Sequence, residues 1–287
     1  MSSSIRHILF PYDFSAQASQ VAPFVRTFAE GFKARITLLS VVPPLFELAP
    51  ADLGPPIGDD PTEWTRALRT RLEHALLDEF GDLSVACAVE AGDPALRIAR
   101  FAKEHAVDLI MMPTHGLGLF RTLLVGSTIS KVLLDAACPV WTAAHTETQR
   151  AGALPRTVLC AIDGSSSTPT LLRSAATFTT DVGAALTLLH VVDPITDWPS
   201  LPRERALQES VRQEAKAKVE SLRREANIDA PLRLAVGDVV QAVTEEARQE
   251  AADLVIVGRG SITEPFGRFR THLFGIVQHS PCPVLSV

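Results

Sequence analysis

A loop with glycines at a fixed spacing is the part of this chain best suited to chemistry. After an apolar run at 108–113, the segment 113–128 reads PTHGLGLFRTLLVGST; nine residues separate Gly116 from Gly126, and Ser127 follows directly. Glycine has no Cβ and lets an anion approach the backbone, and the free amides at the start of a helix favour negative charge. The loop therefore suits the phosphates of a nucleotide.

A second candidate loop, PYDFS at 11–15, follows the first apolar run and contains Asp13. In doubly wound sheets, ligands bind at the carboxyl ends of the strands near the point where the strand order reverses. We therefore expect this loop and the glycine loop to meet at one edge of a sheet.

The elements that must position these loops alternate between strand and helix. Apolar runs predict buried strands, and apolar residues at helical spacing predict the helices between them. In Gly92-Asp93-Pro94 we expect an Asp N-cap with Pro in the first turn. Near-continuous apolar strands separated by amphipathic helices indicate a parallel sheet covered on both faces. The predicted elements of the first half are strands at 7–12, 35–42, near 83–90, 108–113 and 139–143, with helices at 16–32, between the second and third strands, from 94 onwards and at 122–137.

The second half of the chain repeats the first. ILFPYDFS returns as VLCAIDGS, LLSVV as LLHVV, and AGDPALRIARFAKEHAVDLIMM as VGDVVQAVTEEARQEAADLVIV, and CPV closes both copies. A repeat of this length excludes the short units of a solenoid, and each half can bury its own core. We predict two α/β domains, each a doubly wound five-stranded parallel sheet, at 1–145 and 157–287, joined by a polar linker at 146–156.

Composition excludes several function classes. With a net charge of −6 and 46% hydrophobic residues, the chain has no general attraction to nucleic acid or to an anionic membrane. Neither a signal peptide nor a long apolar span is present in the sequence, so we expect a cytoplasmic protein. The four cysteines have no metal-binding spacing and are expected to be buried thiols, and no metal site is predicted.

The order of these motifs resembles the universal stress protein family, in a tandem arrangement. Members carry an Asp after the first strand, an HVV-like end of strand two and the signature G-x2-G-x9-G-[ST], which binds ATP in many of them. The resemblance covers nearly the whole chain and implies an adenine-nucleotide site in the first copy, with ATP as the ligand and any Mg²⁺ held through its phosphates. The residues it implies are Pro11, Asp13 and Val41 for the adenosine, and Met112, Pro113, Thr114, His115, Gly116, Gly126, Ser127 and Thr128 for the phosphates.

Both copies depart from the signature. In the first, Pro113 stands where the first glycine is expected, with a fixed φ and no N–H. In the second, Ser261 replaces the second glycine, the spacer is one residue shorter, and Arg270 replaces the third glycine, so we expect its pocket to be filled. Asp163 persists, although an Asp at such a turn is also an ordinary N-cap. The second copy's arginines at 259, 268 and 270 either form an anion site or simply face solvent.

We therefore predict an ATP-binding, non-enzymatic protein that acts in stress response. The alternative is an interaction or scaffold protein of the same fold whose pockets have decayed. The sequence has no GxxxxGK[ST] motif and no positioned Lys clamp or arginine finger, which gives slow ATP hydrolysis or self-phosphorylation little support. The apolar fifth strands, 139–143 and 283–287, are expected to pair the two domains with each other, and two chains are expected to form a homodimer.

Overall fold

The computed structural model describes residues 5–42, 61–75, 77–114, 126–143, 152–192, 202–259 and 268–287. Within them the chain divides into two compact units. Unit 1 comprises Met1–Ala143 and Arg150–Leu154, and unit 2 comprises Ala144–Gln149 and Pro155–Val287. Each unit holds one copy of the sequence repeat.

Unit 1 alternates strands and helices as predicted, and the helix expected between the second and third strands is present as two helices. Every described strand pair within the unit is parallel, and the strand order is β3-β2-β1-β4-β5. The elements are β1 (His7–Pro11), α1 (Ala16–Phe32), β2 (Arg35–Val42), α2 (Pro61–Ala75), α3 (Leu77–Phe80), β3 (Val85–Ala91), α4 (Pro94–Glu104), β4 (Leu109–Met112), α5 (Ser127–Asp135) and β5 (Val140–Thr142).

Unit 2 repeats this arrangement in the order β8-β7-β6-β9-β10, again with parallel pairs. In both units the order reverses beside the first strand, which lies between the second and the fourth. The elements are β6 (Thr157–Ile162), α6 (Thr168–Val182), β7 (Ala185–Val192), α7 (Pro202–Ala226), β8 (Leu232–Val236), α8 (Val239–Gln249), β9 (Leu254–Val257), α9 (Arg268–His279) and β10 (Val284–Ser286).

The central strands form the core because they have apolar side chains on both faces. All residues of β1, β4 and β9 are buried, as expected of a parallel sheet covered by helices. The edge strands β3 and β8 are only partly buried. The doubly wound fold predicted from the apolar runs is therefore confirmed.

Local signals set several element boundaries as predicted. Asp93 caps α4 by accepting the Leu96 N–H at 3.0 Å, and Pro94 occupies the first turn. The preceding Gly92 has φ 141°, which disfavours any side chain. The last helix of unit 1 is shorter than the predicted 122–137, since α5 begins at Ser127 and residues 122–125 lie outside the described part.

In each unit, an aspartate directly before the fourth strand accepts hydrogen bonds from the start of the first strand. Asp108 Oδ2 accepts the N–H groups of Arg6 (2.9 Å) and His7 (3.0 Å). Asp253 Oδ2 accepts those of Arg156 (2.8 Å) and Thr157 (3.0 Å) in the same way. These amides begin β1 and β6, so each carboxylate fixes the start of the strand that leads to the candidate site.

The cysteine prediction was right for two residues only. Cys160 and Cys282 are buried, and burial raises the pKa of each thiol to about 12. Cys87 and Cys138 are half-buried. Among the described residues, no helix combines the length and apolar character needed to cross a membrane, and no cluster of His, Cys, Asp and Glu suits a metal ion.

Candidate functional site

The end of β1 is held by hydrogen bonds and ring contacts. Tyr12 donates its N–H to the Leu39 carbonyl at 2.9 Å, which keeps the chain beside β2 for one residue beyond the strand. The Tyr12 hydroxyl lies 2.8 Å from Ser19 Oγ on α1, and its ring meets Phe10 edge-on at 5.6 Å. The turn that follows therefore starts from a part of the chain that these contacts hold in place.

Asp13 shapes that turn but does not cap the helix. Its Oδ1 accepts the Ser15 N–H at 3.0 Å, while Ser15 is the N-cap of α1 and accepts the Ala18 N–H at 3.0 Å. Asp13 is half-buried. A carboxylate so oriented stands at the carboxyl end of β1, where a polar group of a ligand can reach it.

Unit 2 builds the same turn around Asp163. Its Oδ1 accepts the Ser165 N–H at 2.9 Å and the Thr168 hydroxyl at 3.1 Å. The N-cap of α6 is Ser167. The alternative interpretation of Asp163 as an ordinary N-cap is therefore wrong, because the residue folds the turn that precedes the helix.

The residue after each aspartate has a left-handed backbone. Phe14 has φ 61° and Gly164 has φ 72°. For a bulky side chain this conformation costs about 1–2 kcal/mol, whereas glycine adopts it freely. The Phe14 ring contacts the Tyr12 ring edge-on at 5.1 Å, and the Arg71 guanidinium carbon lies 4.5 Å from its centroid. Sequence reasoning missed this pair, although the exchange of Phe for Gly between the copies was a visible signal.

The second strands also end differently in the two units. Val41 of β2 is half-buried, and Ser40 before it is buried. In unit 2 the position of Ser40 is taken by His190, whose Nδ1 lies 2.9 Å from the Ile162 carbonyl. Burial lowers the pKa of His190, Asp163 opposes that shift, and Lys218 adds to it. An imidazole held neutral in this way donates from Nδ1 to the carbonyl.

The glycine loop is closed at its described ends by a backbone hydrogen bond. Gly126 donates its N–H to the Thr114 carbonyl at 3.2 Å, so the start of α5 lies beside the end of β4. Met112, Pro113 and Thr114 are all buried. The other two predicted residues, His115 and Gly116, lie outside the described residues.

The start of α5 has the features of an anion site. Gly126 is the N-cap with φ −56° and ψ 147°, and it makes no side-chain capping bond. Ser127 is exposed and Thr128 half-buried, and the amides of a first helical turn have no partner within the helix. Any residue can adopt this φ, so the backbone conformation does not require glycine here.

In unit 2 the corresponding helix begins earlier. Counted back from the shared CPV motif, Arg270 and Thr271 stand where unit 1 has Gly126 and Ser127. The helix α9 begins at Arg268, so both residues lie inside it. The N–H groups of the first turn of α9 therefore lie earlier in the repeat than those of the first turn of α5.

The contacts of Arg259 do not support an anion site in unit 2. Its Nε donates to Ser286 Oγ at 2.9 Å and its Nη2 to the Ser286 carbonyl at 3.3 Å, and its N–H donates to the Val287 carbonyl at 3.1 Å. These bonds hold the side chain against the end of β10. Of the three arginines considered for an anion site, the other two have side chains outside the described residues, as does Ser261.

Pro113 has a packing explanation. Its counterpart is Gly258, where an added Cβ would lie 3.3 Å from Leu171 Cδ2 of α6. The position of Leu171 in the repeat is occupied by the smaller Val21 in α1. A side chain at Gly258 would therefore crowd Leu171, whereas unit 1 has the smaller Val21 at that position of the helix.

The pairing of strands brings most of the predicted residues to one edge. β1 pairs with β4 through Ile8↔Leu109 and Leu9↔Ile110, and with β2 up to Pro11↔Leu39. Asp13 and the closed ends of the glycine loop thus follow the adjacent strands β1 and β4, and Val41 lies at the end of the neighbouring β2. The profile of the universal stress protein family matches residues 4–143 and again 155–287. The chain belongs to the universal stress protein family.

Individual universal stress proteins resemble the chain in one unit or in both. A protein from Thermus aquaticus, called universal stress protein in QAH/OAS sulfhydrylase 3'region, is 33% identical over 139 residues, which are 46% of this chain and 94% of that protein. The crystal structure of a universal stress protein from Archaeoglobus fulgidus aligns with 99% of this chain and 96% of its own, at 18% identity and a TM-score of 0.66. A structure from Pseudomonas aeruginosa UCBPP-PA14 covers 99% and 93%, at 16% identity and a TM-score of 0.64. The fold of these two structures thus extends over both units of the chain.

Proposed function

We propose that unit 1 binds ATP as part of a stress response and that unit 2 binds no nucleotide. The observation that supports this most strongly is the start of α5, where Gly126 leaves the first turn without a side-chain cap directly beside Thr114 and the end of β4. Exposed Ser127 adds a hydroxyl donor. Unit 2 lacks this arrangement because α9 begins before the corresponding residues.

The nucleotide would extend from α5 across the carboxyl ends of β4 and β1. The amides of Ser127 and Thr128 would receive the phosphates, and Asp13 and Val41 would face the adenosine. Any Mg²⁺ would be held through the phosphates. We propose binding without catalysis, since neither a P-loop motif nor a lysine clamp is present in the sequence.

Titration calorimetry of the full chain with ATP tests this proposal. We expect one site per chain, and we expect purified protein to release an adenine nucleotide on denaturation, detectable by mass spectrometry. Two sites per chain would contradict the assignment of unit 2. A folded protein that binds no ATP would favour the alternative, an interaction or scaffold protein.

We also propose that the units pair through β5 and β10, the last strand of each unit's order, and that two chains form a homodimer. Both strands are short and uncharged, as an unprotected edge rarely is. We expect slow hydrogen exchange at 140–142 and 284–286. Exchange there as fast as at the linker residues 152–154 would contradict the pairing, and sedimentation that shows a monomer would contradict the homodimer.

A further inference from the structure

The aromatic ring of Phe14 has no counterpart in unit 2. Both turns have the left-handed backbone, with φ 61° at Phe14 and 72° at Gly164, so the fold forms this turn without any side chain. Glycine is the residue that this conformation favours. A bulky residue kept at such a position indicates that its side chain has a role of its own.

Two neighbours contact the ring. Tyr12 meets it edge-on at 5.1 Å, and Tyr12 is itself fixed by its hydroxyl contact with Ser19. Arg71 of α2 places its guanidinium carbon 4.5 Å from the ring centroid. Arg71 is exposed, so its contact with the ring does not bury the side chain.

The order of the strands places this pair on the β1 and β2 side of the site and α5 on the β4 side. The start of α5 follows β4, Phe14 follows β1, and α2 follows β2. Adjacent strands lie about 4.8 Å apart, so the step from β4 to β2 spans about 10 Å. That distance is comparable to the separation of the phosphates and the base in a nucleotide. A nucleotide with its phosphates on α5 therefore brings its base toward Phe14 and Arg71.

We propose that Phe14 and Arg71 form the wall against which the nucleotide base stacks, with the Arg71 guanidinium between the Phe14 ring and the base. A guanidinium is planar and stacks on aromatic faces on either side, which an ammonium does not do. The inference rests on the proposed function, because it identifies how the same site recognises the base. It adds two residues that act on the adenosine part and not on the phosphates.

The test compares affinities for ATP and for adenosine in full-length variants, by titration calorimetry. Arg71→Ala and Phe14→Gly are expected to weaken both ligands by the same factor, about three- to tenfold, because the lost contact is with the base. Arg71→Lys is expected to bind as weakly as Arg71→Ala. Phe14→Gly introduces the residue that unit 2 has at this turn, so the variant is expected to fold, and thermal melting checks this.

Arg69→Ala is the matched control. Arg69 lies on the same helix, is exposed, and pairs with Glu73 at 3.5 Å, so its removal is expected to leave both affinities unchanged. Normal affinity in Arg71→Lys would overturn the stacking wall, because charge alone would then suffice. A loss confined to ATP would also overturn it, by placing Arg71 at the phosphates.

The inference and the proposed function fail in different ways. If the unaltered protein binds neither ATP nor adenosine, both are overturned. If it binds them and all four variants bind equally well, only the wall is overturned and the nucleotide site stands.

Discussion

Units 1 and 2 share a strand order but start the helix after the fourth strand at different positions. In unit 1 that helix begins at Ser127 behind an N-cap glycine, and in unit 2 it begins at Arg268, one turn before the corresponding Thr271. The strands beneath pair in the same way. A shift of one helical turn thus changes where free amides are presented and leaves the core intact.

The turns after the first strands show a second difference. Unit 1 combines Phe14 with Ser40, and unit 2 combines Gly164 with His190. An added Cβ at Gly164 would lie 3.6 Å from His190 Cε1, so the imidazole occupies the space beside the turn in unit 2. The Phe14 ring beside the turn of unit 1 and the His190 ring beside that of unit 2 come from different parts of their units. The fold accepts both solutions, and the chemistry at the strand ends differs as a result.

Replacement of Gly126 by Arg is the strongest test of the difference between the two helix starts, because it gives unit 1 the residue of unit 2. We expect ATP affinity to fall at least tenfold, since each phosphate hydrogen bond that is lost costs about 1–3 kcal/mol. Titration calorimetry measures the change. Arg270→Ala in unit 2 is the control and should leave affinity unchanged. An unaltered dissociation constant in folded Gly126→Arg protein would place the site elsewhere.

Asp108→Ala and Asp253→Ala test a feature that the units share. Each change leaves two backbone N–H groups without their acceptor, so we expect a loss of about 1–3 kcal/mol in the free energy of unfolding in either unit. Chemical denaturation measures it. Replacement of either aspartate by Asn keeps one acceptor oxygen and should lower the free energy of unfolding by less. A clear effect in only one unit would show that the two carboxylates are not equivalent.

The ends of α1 and α6 offer a smaller test. Lys33 has φ 54° at the end of α1, where unit 2 has Gly183 at φ 70°. We expect Lys33→Gly to stabilise the protein by about 0.5–1 kcal/mol and Gly183→Lys to destabilise it by a similar amount, because the left-handed backbone favours glycine. Thermal melting of both variants measures the pair. Equal melting temperatures would mean that other contacts compensate for the strain.

Two histidines, one in each unit, give the smallest expected effect. Burial lowers the pKa of His7 and Arg35 adds to the shift, while the hydrogen bond to the His105 carbonyl and the charge of Asp108 oppose it; burial also lowers the pKa of His190. The neutral forms are favoured in the folded state. Their contribution to stability is therefore complete above the unfolded value of 6.5 and is lost as pH falls through the lowered folded values.

Each histidine can be replaced by the residue found in the other copy. His7→Thr and His190→Ser should reduce the loss of stability between pH 7 and pH 5, measured by chemical denaturation. A profile that both substitutions leave unchanged would show that these histidines do not cause the acid sensitivity.

Most of the fold could be predicted because its signals are local. Apolar runs identified β1 and β2 with errors of one residue or none, and Gly92-Asp93-Pro94 identified the start of α4. The repeat predicted that the second half would fold like the first. Helices between the second and third strands were harder to place, since they follow a proline-rich segment that lies mostly outside the described residues.

The sequence by itself determined the fold class, the tandem repeat and the candidate loops, because periodicity, capping and glycine spacing act over a few residues. The tertiary structure decided which side chains meet at the edge of the sheet. Arg71 lies 57 positions after Phe14 in the sequence, and only the path of the chain through β2 and α2 brings its guanidinium onto that ring. The start of α9 at Arg268 and the bonds from Arg259 to Ser286 likewise depend on packing and on backbone groups whose partners lie far along the chain.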